Sequence, residues 1–187
     1  MQTSIKNKKS DKVSKKESGV KSKNNKVVKF SKVLQFRIDL KYMKPPVWRR
    51  IQVPENFTFY DLHFLIQDIF EWDNDHLHEF SRTANRNNLG RLFRGSDRVA
   101  IGMKKDPIGF PMDSDMDVLN EEKEIIADWF DMENRIMGYV YDFGDDWQHN
   151  IKLEKILEID RNKKYPILLE SHGEAPQEDC GDLEEDD

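Results

Sequence analysis

The sequence contains one cysteine, Cys180, and no long apolar run. A lone cysteine cannot form an intrachain disulfide, which favours a reducing compartment such as the cytosol. No stretch of about eighteen apolar residues is available to cross a bilayer as a helix. The first residues, MQTSIKNKKSDK, also lack the apolar segment of a secretory signal. We therefore expect a cytoplasmic protein without a membrane partner.

Short motifs that carry known chemistry are also missing from the sequence. It has no Walker loop, no CxxC pair and no HExxH helix. A serine recombinase needs an activated serine among arginines, but Ser81 and Ser96, which have Arg nearby, show no recognisable activating base. We also find no array of Arg and His around a Tyr, as a tyrosine recombinase requires. These absences make an enzyme the less favoured class.

Charge is concentrated at the two ends of the chain. Residues 1–32 carry eleven Lys against two acids, whereas residues 170–187 carry nine acids and no Lys or Arg. Residues 1–31 have few large apolar side chains, so we predict a disordered Lys-rich arm that could contact nucleic acid. The alternative is a tail that only keeps the protein soluble. We assign 171–187 to an acidic C-terminal segment, of which residues 178–180 could dock on the domain.

The part between these ends has the pattern of a sheet protein. Apolar and polar residues alternate at 33–42, 136–143 and 147–157, and a period of two is typical of a strand with one buried face. Gly144-Asp145-Asp146 separates the last two of these segments, which indicates a hairpin.

Two segments have helical spacing instead. Thr58 is a candidate N-cap, and residues 59–71 place Leu and Ile on one helical face. Residues 121–130 are predicted to form a short second helix. We therefore predict a single α+β domain over 32–170. Its mainly antiparallel sheet has about five to six strands, and the long helix packs on one face.

Five pieces of the sequence resemble a known family in their content and order. Their combination is similar to the plasmid pRiA4b ORF-3-like family over roughly residues 33–181. The resemblance implies a compact α+β domain associated with mobile elements, because members are often labelled resolvase-like or passenger proteins. The family's usual ending has two cysteines, but Ala175 occupies the first position here. The five pieces are PPVWRRIQVP (45–54), LHFLIQDIFEWDNDHLHEF (62–80), YVYDFGDDWQHNIKLE (139–154), Tyr165-Pro166 and EAPQEDCG (174–181).

His76 and His78 are the first candidates for chemistry. Residues i and i+2 of a strand point to the same side, so the two imidazoles could share a divalent metal such as Zn, Mn or Ni. His149 and Cys180 are the preferred further ligands, and the candidate alternatives are Asp142, Asp145, Glu178 and Asp179. The alternative is that the rings have ordinary structural partners. Further residues that could border this pocket are Asp142, Asp145, Trp147, Glu178 and Asp179.

The hairpin YDFGDDWQH has two interpretations. A His beside an Asp, as in His149 and Asp142, is the arrangement used by a general base. The same pair also holds a structural histidine in place, and Gly and Asp are residues that a tight turn requires in any case. Turn chemistry favours the structural interpretation.

Trp48-Arg49-Arg50 is the third candidate. The two arginines should point to opposite faces of a strand. One of them could bind a carboxylate, either Glu178 or Asp179 in the C-terminal segment or a carboxylate or phosphate of a ligand.

The preferred function is a non-catalytic module that interacts with protein or nucleic acid. Its candidate surface is the pocket bordered by the His76–His78 segment, the 144–149 hairpin and residues 178–180. The alternative is a metal-dependent hydrolase or nuclease, in which His76, His78 and His149 would ligate the metal and Asp142 or Asp145 would orient water.

Overall fold

The computed structural model describes residues 30–83, 98–103 and 118–178, which form one eight-stranded sheet and one α-helix. The strands follow one another in the sheet in the order β5-β4-β3-β6-β7-β1-β2-β8. Neighbouring strands are antiparallel except β4 and β5, which are parallel. The elements are β1 (Lys32–Leu40), β2 (Val47–Pro54), α1 (Phe59–Phe70), β3 (His78–Thr83), β4 (Arg98–Gly102), β5 (Val118–Asn120), β6 (Ile136–Tyr141), β7 (Trp147–Glu158) and β8 (Ile167–His172).

The alternating pattern of β1 gives the sheet one apolar and one polar face. Phe36 lies opposite Ile51 of β2, and both side chains are fully buried. We call this side the inner face. Arg37 and Asp39 lie on the other side, the outer face, where the Arg37 Nε donates to the Asp39 carboxylate at 2.8 Å. Period-two geometry therefore separates the core from the solvent within a single strand.

The helix α1 begins and ends where its sequence dictates. The hydroxyl of Thr58 accepts from the backbone N–H of Asp61, and the Asp61 carboxylate accepts from the backbone N–H of Thr58. These reciprocal bonds form a capping box. Glu71 then takes a left-handed conformation (φ 63°) that ends the helix. No helix in the described parts of the chain is long and apolar enough to cross a membrane.

The predicted fold was wrong in its number of strands and in its helices. The described residues are mostly sheet, with eight strands instead of five to six, and α1 is their single α-helix. β5 has only three residues, which is too short to show an alternating pattern in the sequence.

The predicted second helix at 121–130 was also wrong, because only a 3₁₀ turn, Ile126–Asp128, forms there. Ile125 is extended and forms a bridge with Thr58. The backbone of this segment bonds to the start of α1 and to the chain just before it, since Phe59 N–H donates to the Glu124 carbonyl at 3.0 Å and Ile126 N–H donates to the Phe57 carbonyl at 2.9 Å. A helix would need the same backbone groups.

Candidate functional site

The structure gives His76 and His78 different partners. The hydrogen-bonded ladder of β3 begins at His78, so His76 precedes the strand and period-two geometry does not apply to it. The Nδ1 of His76 lies 3.6 Å from the Asp142 carboxylate. His78 is buried, and its Nε2 lies 2.6 Å from the Glu121 carboxylate. Glu121 was not a predicted site residue.

His149 lies in an aromatic environment, and the Tyr139 ring contacts both His149 and His78. The His149 ring is fully buried, with the ring centres of Phe70, Trp72 and Tyr139 at 5.0, 5.4 and 5.2 Å. Burial lowers the pKa of His149 to about 3, although the backbone of Tyr139 and Trp147 partly offsets the effect. The ring is therefore neutral at ordinary pH.

The predicted metal ligands do not converge in the part of the chain that the structure describes. No group of three His, Cys, Asp or Glu side chains there could hold a metal ion. Cys180 and Asp179, two of the predicted residues, lie outside the described residues.

A buried cluster around His63 was missed from the sequence. The rings of His63 and His78 stack with centres 3.4 Å apart and planes 4° from parallel. The Nδ1 of His63 lies 2.8 Å from the Tyr139 hydroxyl, which also accepts from Gln67 at 2.9 Å. Burial, and then the charge of His78, lowers the pKa of His63 to about 3. The available signal was the position of His63 on the apolar stripe of α1.

The hairpin acids serve mainly to build the turn between β6 and β7. Asp142 and Asp146 both have positive φ angles, 53° and 55°. The Asp142 carboxylate accepts from the backbone N–H of Gly144 at 2.8 Å, as an Asp in a tight turn does. Asp145 has one buried carboxylate oxygen without a partner among the described residues, and Trp147 packs 6.0 Å from Trp72. This geometry supports the structural interpretation of the hairpin.

Arg50 belongs to a network on the outer face. Its Nε donates to the Glu154 carboxylate at 2.8 Å, and its Nη1 donates to Glu170 at 2.5 Å. The bond to Glu154 raises the pKa of Arg50. The Trp48 ring lies beneath the Arg37 guanidinium, 4.3 Å away. Arg50 therefore has two carboxylate partners, one on the adjacent strand β8 and one on β7, beyond β1.

Arg49 points to the inner face and bonds only to backbone carbonyls within the described residues. Its Nε donates to Ile69 at 2.8 Å, and its Nη1 donates to Trp48, His172 and Gly173 at 3.0 to 3.1 Å. The guanidinium also lies 4.9 Å from the Phe70 ring centre. Burial lowers the pKa of Arg49, and Glu71 opposes this shift.

Glu178, the one of the two predicted carboxylates that the structure describes, docks without an arginine partner. Glu178 accepts from the backbone N–H of Asp73 at 2.8 Å and from the Tyr141 hydroxyl. Burial raises the pKa of Tyr141, and Glu178 raises it further. The Trp72 indole N–H donates to the Pro176 carbonyl at 2.9 Å. The sequence could not give this pairing, because it depends on where α1 ends.

A cavity of about 760 Å³ lies between α1 and β8, away from the predicted histidine pocket. We call it the α1–β8 groove. Leu65, Asp68 and Ile69 line it from α1, Leu168 and Ser171 line it from β8, and residues 173–177 line its end together with Arg49. Of the predicted site residues, Arg49 alone is among those that line it.

Over the described residues, the chain is a mostly-β domain with one eight-stranded sheet and one α-helix. It belongs to the plasmid pRiA4b ORF-3-like protein family, whose model matches residues 32–185. The family resemblance predicted from the sequence is thus confirmed.

Two relatives show how far this similarity extends. Uncharacterized protein y4hQ of Sinorhizobium fredii (strain NBRC 101917 / NGR234) is 30% identical over 149 residues, which are 80% of this chain and 66% of that relative. The crystal structure of MM3350 from Methanosarcina mazei Go1, a protein of unknown function, is 37% identical with a TM-score of 0.70. That match covers 82% of this chain and 76% of MM3350.

Proposed function

We propose that this domain is a non-catalytic interaction module that binds an extended peptide segment of a protein partner in the α1–β8 groove. The observation that carries the proposal is the groove's position beside an edge strand. β8 is the last strand of the sheet, so one side of its backbone has no partner strand among the described residues. Peptides commonly bind by adding to such an edge while their side chains fill an adjacent pocket.

The walls of the groove suit the side chains of a peptide. Leu168 lines it and is 45% exposed, and Leu65 and Ile69 face it from the helix. Exposed apolar surface beside a polar rim is typical of a protein-interaction site. The acids Asp68, Glu71 and Glu174 supply that rim.

The groove has no recognisable catalytic arrangement in its described lining. Ser171 is its only hydroxyl-bearing side chain there, and the adjacent His172 is engaged elsewhere, since its ring stacks on Trp48 at 5.5 Å. A nucleophile needs a base within hydrogen-bond reach. The lining therefore supports binding better than catalysis.

The other predicted functions have weaker support. Contact of the Lys-rich arm with nucleic acid stays a prediction, because residues 1–29 of the arm lie outside the described residues. An association with mobile elements also stays a prediction. The metal-dependent hydrolase lacks a group of three ligands within the described chain.

The proposal is tested with Leu168→Asp, and Leu169→Asp serves as the matched control. Both leucines are exposed residues of β8, at 45% and 40%, but only Leu168 lines the groove. We expect peptides selected on an array against the full chain to bind Leu168→Asp at least about tenfold more weakly, because an apolar contact is lost. Leu169→Asp should bind nearly as the wild type does. Equal affinities for the two variants would reject the groove as the binding site.

A further inference from the structure

The α1–β8 groove is closed at the end where α1 and β8 both stop. Arg49 Nε bonds to the carbonyl of Ile69, one residue before the end of α1. Its Nη1 bonds to the carbonyl of His172, the last residue of β8. One guanidinium therefore spans the two walls. The chain then crosses between them, because the Pro176 carbonyl accepts from Trp72, which follows α1.

Arg49 lines this closed end with part of its guanidinium unused. The residue is only 6% exposed. Its Nε and Nη1 have carbonyl acceptors, whereas Nη2 has no acceptor among the described residues. Nη2 is not among the buried polar atoms that lack a partner, so it retains some exposed surface, and Arg49 is one of the residues that line the groove. Glu71 is near, but neither it nor any other described carboxylate forms an ion pair with Arg49.

A guanidinium this deeply buried normally has an anion as its partner. Arg has five N–H donors in a fixed planar fork, and carboxylates match that fork well. Burying a cation without an anion is costly. The two N–H donors of Nη2 at the closed end of the groove are thus a preformed receptor for an oxygen anion.

We infer that the Arg49 guanidinium receives the C-terminal carboxylate of the peptide that occupies the groove, an inference that rests on the function proposed above. A peptide that follows the groove from Leu65 and Leu168 must end where the chain crosses at Pro176. The carboxylate that reaches Arg49 is therefore a chain terminus and not a side chain from the middle of a segment. Capture of a terminal carboxylate is a recurring mode of peptide recognition.

The remaining charges select the residues that precede the terminus. Besides Arg49, the charged lining consists of Asp68, Glu71 and Glu174, all acids. A ligand rich in acids would be repelled by these carboxylates, whereas Lys or Arg near its end would be attracted. The ligand class is thus a basic peptide with a free C-terminal carboxylate.

The requirement for a free C-terminal carboxylate on the peptide is tested by binding the full-length chain to two arrays of the same random peptides. One array tethers them through the N-terminus and leaves the carboxylate free, and the other tethers them through the C-terminus. We expect binding on the first array only. In solution, amidation of the best peptide should weaken binding at least about tenfold, because a charge-assisted bond to a buried group is lost.

The outcomes separate this inference from the proposed function. If peptides bind equally on both arrays and amidation has no effect, the role of Arg49 is rejected and the groove still binds peptides. If no peptide binds on either array, both are rejected. This design leaves Arg49 unchanged, which matters because its bonds between α1 and β8 make any substitution there a risk to folding.

The preference of the groove for basic peptides is tested with Glu174→Gln, which removes one of the three acids of its rim. Glu122→Gln is a matched control outside the groove. We expect Glu174→Gln to reduce the preference for peptides with Lys before the terminus by several-fold, and more at low salt than at high salt. Glu122→Gln should retain that preference. An unchanged preference in Glu174→Gln would reject the basic character of the ligand.

Discussion

Among single residues, the buried histidines determine how the protein should respond to acid. Burial lowers the pKa of both His63 and His149 to about 3. In an unfolded chain these rings titrate near pH 6.5. Between these two pH values the unfolded state binds more protons than the folded state. Each histidine therefore contributes stability that is complete above about pH 6.5 and is lost as the pH falls toward 3.

His149→Phe should remove one of these two proton-linked contributions. The ring lies among Phe70, Trp72 and Tyr139, and neither nitrogen has a hydrogen-bond partner of good geometry within the described residues. An apolar ring of similar shape avoids burying those unpaired groups. We expect the variant's free energy of unfolding, measured with urea, to depend less steeply on pH between 7 and 4, by about 1.4 kcal/mol per pH unit at most.

Unfolding at pH 8 provides the internal control for this comparison. At pH 8 the ring at position 149 is uncharged in both proteins, so a difference in stability there does not come from protonation of His149. A pH dependence equal to that of the wild type would show that His149 is not a buried neutral base.

At the scale of elements, local sequence signals determine that α1 is a helix, whereas hydrogen bonds to distant residues determine the conformation of residues 121–130. The capping box of α1 lies entirely within Thr58 to Asp61. Residues 121–130 also have helical spacing, but their backbone bonds to the chain at Phe57 and Phe59. A propensity for helix is a weak preference that such pairing overrides.

Thr58→Ala should destabilise the fold, because it removes the side chain that accepts from the N–H of Asp61. Loss of an N-cap costs about 0.5 to 2 kcal/mol. Thr58→Ser keeps the hydroxyl and should restore most of that stability. Urea unfolding of the two variants measures the difference, and an equally stable Thr58→Ala protein would show that α1 does not depend on its cap.

For the whole molecule, two residues that were assigned to the Lys-rich arm contact the folded domain. The Phe30 ring packs 6.1 Å from Tyr165, and the backbone N–H of Ser31 donates to the Glu55 carboxylate at 2.8 Å. That bond lowers the pKa of Glu55. Phe30 and Ser31, the last two residues assigned to the Lys-rich arm, therefore contact the domain, and the boundary after residue 31 stays a prediction.

Two truncations measure how much the residues before Phe30, and the bonds of Ser31 and Lys32 to Glu55, each contribute to the free energy of unfolding. A chain that starts at Phe30 should keep the wild-type free energy of unfolding, because it retains the bonds to Glu55. A chain that starts at Val33 loses three hydrogen bonds to Glu55 and should be less stable by about 1 kcal/mol or more. Thermal melts of both would reveal the difference. Equal stability of the two would show that the domain begins after Lys32.

The sequence by itself determined the features that depend on neighbouring residues. Alternation in β1 and the spacing of α1 with its capping box follow from side chains a few positions apart, and the family follows from motifs in a fixed order. His76 and His78 show the limit of such local geometry, because period two holds only where a strand's ladder exists.

Tertiary structure alone decided the strand number, the partners of the buried histidines and the groove. His63 meets Tyr139 across 76 positions, and Arg49 meets His172 across 123. Sheet pairing brings such residues together through backbone hydrogen bonds, which every residue type except proline can donate. Side-chain patterns therefore carry little information about which strands pair, and a site built from distant strands and a helix end has no signature in any one segment.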